Sequence, residues 1–487
     1  MKNTYSIPAQ LDLTQSLSTF ETLVQTLLSI DEIAAWDGAM LMERESLIRA
    51  GALVLAGQCV ALLISSLAEH SASATVSSDK TKGIRSAKSQ SKGQRQITIT
   101  TLGNVSLPLQ LSYVLRGQGQ GIAGRRSHEW ISGGFYPFLE WLGMGERVSP
   151  LVWSTVAEYG MVSASFASAQ QLLKTWGIHL SSRRVKRLTY RFGEIGIAQR
   201  TAAVEQVSQG SLDRGQALTH QRVVISVDGG RTRLRRNKRG KRRQATRRHG
   251  FHGDWREPLL LTIYAVDEQG RKINTREIPI TNDGTFGHCE TLLPLLEMHL
   301  VKLGIATCQR VLLLADGARW MWKHIPPLLQ RLGVASSKIS QLIDFYHAVE
   351  HLHAFAQLAF DSSVEQSRWV NKSRSLLKRG HFDTLLSRMK TLLALTDGQP
   401  RDEMNSALSY FSEHPERFEY KRVAALNLPI GSGSIESLVR QVVNLRLKGN
   451  GKFWLQAHAE IMLHGRCQWA AGTWHLFSHS VLTAALS

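Results

Sequence analysis

Apolar residues in the second half of the chain come in short unbroken runs. "RVVISVDGG" (222 to 230), "PLLLTIYAV" (258 to 266) and "VLLLADG" (311 to 317) each hold a run too short for a typical helix, and runs of this kind that end at turn residues predict strands buried on both faces. The expected order is strand (222 to 228), basic loop, strand (258 to 266), a turn at Glu268-Gln269-Gly270, strand (272 to 280), helix (288 to 303), strand (310 to 315), helix, and strand (339 to 343). A helical stretch follows, to about residue 428. After "IGSGS" (430 to 434), Ser432 or Ser434 can cap a helix that bears Glu436 and continues through Val439, Val442, Val443 and Leu447 until Gly449 stops it.

The first half is patterned differently. Residues 10 to 70 show helical spacing, and "SSDKTKGIRSAKSQSKGQRQ" (77 to 96) reads as a polar, basic linker. "ITITTLGNVSLPLQLSYVL" alternates apolar and polar residues around Gly103-Asn104, which predicts a β-hairpin. From Val152 to Phe192 the spacing is helical again. Within it, "SAQQLLKTWGIHLSSRRVKRLTYRFG" suits a helix-turn-helix whose second helix, capped by Ser181 or Ser182, bears Arg183, Arg184, Lys186, Arg187 and Arg191. Its apolar pair, Val185 and Leu188, falls two residues later than the usual spacing, so a plain helical hairpin with a solvated basic face fits as well. The expected fold is a multidomain α+β chain. Its divisions are an acidic helical segment (1–78), a linker (79–97), a DNA-end-binding region (98–215), a mixed α/β core (216–360 with 430–470), an α-helical insertion (361–429) and a tail (471–487).

Charge narrows the choice of partner. The 487 residues carry 59 Lys and Arg against 39 Asp and Glu, a net charge of +20, which points to a polyanion. Residues 1 to 78 depart from this: eight acidic and three basic side chains give −5, so that segment suits self-association rather than DNA. Between 231 and 248 stand eleven Lys or Arg, among them Arg235, Arg236, Lys241, Arg242 and Arg243, a density suited to clamping DNA phosphates. Cys59, Cys289, Cys308 and Cys467 lie far apart with no Cys-x-x-Cys pair, so zinc is not expected and the thiols suit a cytoplasmic protein. Met1 to Gln10 lacks the pattern of a cleavable signal, and export is not expected. The nineteen uncharged residues Ala50 to Ala68 include Gln58, Ser65 and Ser66 and continue a charged helical pattern, so a buried or oligomerising helix is expected there, not a membrane span.

Two of the apolar runs end alike, in Asp228-Gly229 and Asp316-Gly317. A carboxylate at the tip of a buried strand is costly unless something compensates its charge. With Glu436 in the first turn of its helix, the two aspartates make the set of three hard oxygen ligands that Mg²⁺ requires. His347, His351 and His353 recur on one stretch, and of these His347 is the one expected near the site. Trp320 and Trp322 flank the Asp316 turn; they suit core packing or base stacking, and Arg319 beside them is a candidate phosphate contact.

"SVDGG", "WREPLLLTIYAVDEQG", "LLLADGARWMW", "DFYHAVEHL" and "IGSGSIESLVRQVVNLRLKGNG" together resemble a DDE transposase of bacterial insertion sequences, most similar to the Kra group, over about residues 220 to 470. The resemblance implies a ribonuclease-H-like catalytic core with an α-helical insertion. It also implies that Asp228, Asp316 and Glu436 are the metal-binding catalytic triad, with Asp344 and His347 as a supporting Asp-x-x-His element. It further implies a pair of Mg²⁺ ions, replaceable by Mn²⁺, and a homo-oligomer that binds the double-stranded ends of its element at the nucleoid, cuts them and joins them to a target. The segment from 100 to 135 departs from the family pattern, which has a cysteine-rich stretch there, because it holds no cysteine. A nuclease or resolvase that uses the same triad without strand transfer, and a non-catalytic DNA-binding regulator, are the other readings compatible with these residues.

Overall fold

The computed structural model describes residues 12–30, 33–85, 89–115, 134–237 and 250–484. Two compact units emerge, one of residues 1–199 with 474–487 and the other of 200–473.

The first unit begins with α1 (Leu13–Leu28), the 32-residue α2 (Gly38–Glu69) and α3 (Ser73–Lys80). Strands β1 (Gln90–Thr100) and β2 (Ser106–Leu115) form the expected hairpin, with Gly103 and Asn104 both at positive φ, and β3 (Gly134–Phe135) pairs with β2. Ala61 and Ile64 of α2 bury against Ile97, Ile99 and Leu107. Close approach requires Gly57, where a Cβ would lie 2.0 Å from the Leu102 carbonyl oxygen. The stretch read as a linker is therefore largely structured. Its helix ends at Lys80 and its strand begins at Gln90, because the polar residues of β1 lie exposed while Ile97 and Ile99 alone supply the buried face. By length and composition α2 could cross a membrane; its outward positions include exposed Leu41, Met42 and Leu63.

Helices α4 (Pro137–Trp141), α5 (Pro150–Val162), α6 (Phe166–Leu173) and α7 (Ser182–Ser208) follow, the last belonging to the second unit from Arg200 onward, and α17 (Trp474–Ala484) returns to the first unit. Gly177, at φ +63°, turns the chain between α6 and α7, and Ser181 Oγ accepts from the Arg184 N–H at 3.3 Å. Val185 and Leu188 are fully buried. Arg183, Lys186, Arg187 and Arg191 are exposed, while Arg184 donates to the Glu146 carbonyl and Arg187 pairs with the Glu146 carboxylate at 3.3 Å.

The second unit holds a five-stranded sheet and a separate hairpin. Its strands are β4 (Arg222–Gly229), β5 (Thr232–Asn237), β6 (Phe251–Arg256), β7 (Leu259–Val266), β8 (Thr281–Thr285), β9 (Arg310–Ala315) and β10 (Ile339–Ile343). The sheet order is β10-β9-β4-β7-β8, parallel among the first three and antiparallel from β4 to β8. Val223, Val224, Ile225, Leu312, Leu313 and Leu314 are all fully buried, which accounts for unbroken apolar runs in place of alternation. Helices α8 (Cys289–Leu303) and α9 (Arg319–Arg331) cover the sheet, with α10 (Phe345–Ala359) after β10. Then come α11 (Ser363–Lys378), α12 (Phe382–Ala394), α13 (Gln399–Ser412), α14 (Tyr420–Ala425), α15 (Gly433–Val439) and α16 (Gln456–Ala470).

Two expected elements differ. The third sheet strand is not 272 to 280, which is mostly exposed and polar and makes only a bridge from Lys272 to Val266; it is β8, "TNDGT". No apolar pattern announces β8 because Asp283, fully buried, is satisfied by polar partners. Arg200 Nη1 lies 2.9 Å from it, His299 Nε2 2.9 Å and His464 Nδ1 3.0 Å, while Arg200 also pairs with Glu460 at 2.7 Å. These partners hold the Asp283 carboxyl well below its usual range against the opposing effect of burial. The second difference is the Glu436 helix. It ends at Val439 and widens into a π-helical turn, Arg440–Asn444, where buried Arg466 donates to the carbonyls of Gln441 and Val442.

Candidate active site

Parallel pairing of β4 and β9 sets Val227 opposite Ala315, so Asp228 and Asp316 end neighbouring strands at the same level. Parallel strands run about 4.8 Å apart, which fixes the two carboxylates as near neighbours. Asp228 accepts from its own Gly229 N–H at 2.6 Å, and Asp316 from the Ala318 N–H at 3.0 Å.

Glu436 reaches the same place through the loop before α15. Asp344, 2% exposed, is the clamp: its N–H donates to the Ala315 carbonyl at 2.8 Å, Oδ1 accepts from the His347 N–H at 2.6 Å, and Oδ2 accepts from the Ser432 N–H. One carboxylate thereby joins the end of β9, the cap of α10 and the glutamate loop. Phe345 N–H donates to the Ile430 carbonyl at 3.0 Å, and a Cβ on Gly431 would stand 2.7 Å from the Tyr346 ring. Ser432 Oγ then donates to Glu436 Oε1 at 2.9 Å, and Ser434 Oγ to the Tyr264 hydroxyl of β7 at 3.3 Å. From the other side, a Cβ on Gly230 would lie 2.9 Å from Val443 Cγ2, so the end of β4 fits against the π-helical turn only as glycine.

Electrostatics report the convergence. Burial raises the Asp228 carboxyl to about 6, and the negative charges of Asp316 and Glu436 push in the same direction, while the Gly229 N–H and His347 oppose them. Among the described residues, no Lys or Arg side chain pairs with any of the three carboxylates. Among the described residues the acids thus lie together without a Lys or Arg counter-charge. Three acceptor-only carboxylates suit a hard divalent ion, although among the described residues no group of three or more His, Cys, Asp or Glu side chains already stands arranged to hold a metal.

His347 lies 3.3 Å from Glu350 through Nδ1 and meets His351 edge-on. Tyr410 of α13, which sequence reasoning missed, stacks on His351 at 3.8 Å between centroids and sets its hydroxyl 3.5 Å from the Asp316 carbonyl. Burial raises the Tyr410 hydroxyl far above its usual range, and burial lowers His351. No single residue type or spacing in α13 marks this role.

The basic stretch after Asp228 opens as a hairpin. Arg231 and Arg233 lie over the Trp255 ring at 4.9 and 5.3 Å, Arg233 over Phe453 at 4.7 Å, and Arg235 over Phe251 at 5.9 Å. Arg236 pairs with Asp254 at 2.7 Å and stays largely exposed. Lys241, Arg242 and Arg243 fall outside the described residues. Arg319 opens α9 with an exposed side chain 3.6 Å from Glu413. Trp322 is buried and Trp320 half-buried.

No family model matches the chain, and a search of the curated proteins finds no match.

Proposed function

We propose that the chain is a DDE-type transposase that binds the inverted-repeat ends of an insertion sequence, cuts them and joins them to target DNA. The observation that carries the reading is the placing of Asp228 beside Asp316 and Glu436, whose charges add to the effect of burial in raising the Asp228 carboxyl to about 6. The sheet supports it: a central first strand, antiparallel to the second and parallel to the fourth, is the arrangement of a ribonuclease-H-like core, with α11 to α14 as the helical insertion. The net charge of +20 and the arginine-aromatic hairpin beside Asp228 favour DNA as the polyanion.

In this reading Asp228, Asp316 and Glu436 would hold Mg²⁺ or Mn²⁺, which, when bound, activate a water or 3′-hydroxyl and stabilise the leaving oxygen of an in-line displacement. The residues' own part is positional. Asp344 and Ser432 fix the glutamate, Tyr410 buttresses the Asp316 turn, and Arg319, with Arg235, Arg236, Lys241, Arg242 and Arg243, holds phosphates. Arg183, Arg184 and Arg187 on α7 would contact the element end, and the protein would act as a homo-oligomer on the nucleoid, in the cytoplasm.

The test incubates the protein with Mg²⁺, a labelled element end and supercoiled plasmid. Joined products support transposition. Nicks without joining favour a nuclease or resolvase, and end binding without any metal-dependent product favours a regulator. Glu436→Gln should bind DNA as before yet cut at least about a hundredfold more slowly, the scale for losing one preorganised electrostatic partner. Cleavage near the wild-type rate by the folded variant would remove Glu436 from the triad.

A further inference from the structure

Beside the Asp316 turn, the second unit carries a cleft of about 710 Å³, within the size range of small-ligand sites. One wall is the start of α9, with Arg319, Trp322 and Lys323; the other is the end of α13 and the turn after it, with Tyr410, His414 and Arg417. Gly317, at φ +112°, forms its floor next to Tyr410, so the cleft touches the carboxylate strand end through the Tyr410 hydroxyl.

Three features point to an anion. The cations Arg319, Lys323 and Arg417 outnumber the single lining carboxylate, Glu413, which pairs loosely with Arg319 at 3.6 Å. The Arg417 guanidinium lies 4.8 Å above the Trp322 ring, which holds it flat, and its nearest carboxylate, Glu416, is 3.8 Å away, beyond hydrogen-bond range. Most tellingly, two buried donors in residues that line the cleft, Trp322 Nε1 and Arg417 Nε, have no hydrogen-bond partner among the described residues, although Trp322 is only 7% exposed. Buried N–H groups left without an acceptor are costly, and such groups in a cationic cleft ask for an anionic oxygen.

We propose that this cleft binds one backbone phosphate of the DNA strand that passes the Asp316 end of the catalytic sheet, with Arg417 and Lys323 as its cations and Trp322 Nε1 as a neutral donor. The proposal rests on the reading of the chain as a DNA phosphoryl-transfer protein and names the part of the insertion that grips the substrate. A cation supplied by the insertion explains why α13 is stacked so closely on α10 and the Asp316 turn: the phosphate grip and the carboxylates form one rigid wall.

The experiment measures DNA affinity of the full chain against salt concentration, with a short mixed-sequence duplex and without divalent metal. Lys323→Gln with Arg417→Gln should lower the log-log slope by about 1.8, at about 0.9 for each cationic side chain withdrawn from the phosphates. The charge-matched pair Lys372→Gln with Lys390→Gln, exposed on α11 and α12, should leave it unchanged. Trp322→Phe, which keeps a ring and removes the N–H, should weaken binding by roughly tenfold with no change in slope, as expected for one hydrogen bond to a charged group. Should the double variant fail to fold, Lys323→Gln alone, at the exposed rim, should lower the slope by about 0.9. An unchanged slope in the cleft variants, or an equal fall in the control pair, overturns the proposal. So does binding of AMP that the cleft variants abolish while DNA binding is untouched, because the ligand would then be a free nucleotide. The slope counts phosphates whether or not a strand is cut, so a wild-type protein that cuts nothing overturns the transposase reading and leaves this result to stand or fall by itself.

Discussion

At the scale of single residues, Asp228 is half-buried and Asp283 fully buried, and their surroundings drive them in opposite directions. Asp228 faces two other carboxylates, and its folded-state value of about 6 lies above the ordinary 3.8, so its contribution to stability is present at low pH and lost as pH rises through 6. Asp228→Asn should therefore raise the melting temperature of the metal-free protein at pH 7.5 and change it little at pH 5, where the carboxyl is already mostly protonated. Equal gains at both values would show that the Asp228 carboxyl is not raised in the folded protein. Asp283 is held well below 3.8 by Arg200 and His464, so its contribution is present above the unfolded value and lost as pH falls below about 4. Arg200→Leu would strand that buried carboxylate and should cost about 3–5 kcal/mol in chemical denaturation, the usual cost of breaking one side of a buried pair.

Elements meet near the three carboxylates through small residues and carbonyl contacts. Gly230 lets the end of β4 touch the π-helical turn, and its backbone is not at positive φ, so only space forbids a side chain there. Gly230→Ala should push Val443 and the glutamate helix away, costing about 1–3 kcal/mol in stability and, under the proposed function, slowing DNA cleavage. Val443→Ala, made in the same chain, should restore much of both by returning the lost room. A double variant as poor as the single one would locate the defect elsewhere. The π-helical turn belongs to the same joint: Arg466 fills the carbonyls that widening frees, at a guanidinium whose burial lowers it to about 10.

For the whole molecule the open matter is assembly. Helix α2 gives Ala61 and Ile64 to the core of the first unit and leaves Leu41, Met42 and Leu63 outside it, so one face is used and another lacks a partner among the described residues of that unit. If that face joins two copies, Met42→Glu with Leu63→Glu should reduce the sedimenting species to a monomer while the melting temperature holds. Identical sedimentation of variant and wild type would exclude α2 from the interface. Removing residues 1 to 78 is a poorer test, since it takes Ala61 and Ile64 out of the core.

What the sequence by itself determined were the elements whose pattern reports burial directly. Short, predominantly apolar runs marked β4, β7 and β9 within a residue or so, because a strand buried on both faces has no polar side to interrupt it. Asp-Gly at the ends of two such runs placed Asp228 and Asp316 at neighbouring strand ends for the same reason. Tertiary structure alone decided β8, whose buried aspartate is tolerated only once His299 of the following helix and Arg200 and His464 of two distant ones reach it. It alone decided that Asp344 ties the glutamate loop to β9, and that Tyr410, Trp322 and Arg417 gather beside Asp316. A hydrophobic pattern records whether a residue leaves water; it does not record which distant polar group satisfies it, because that partner is chosen by the path of the chain in space.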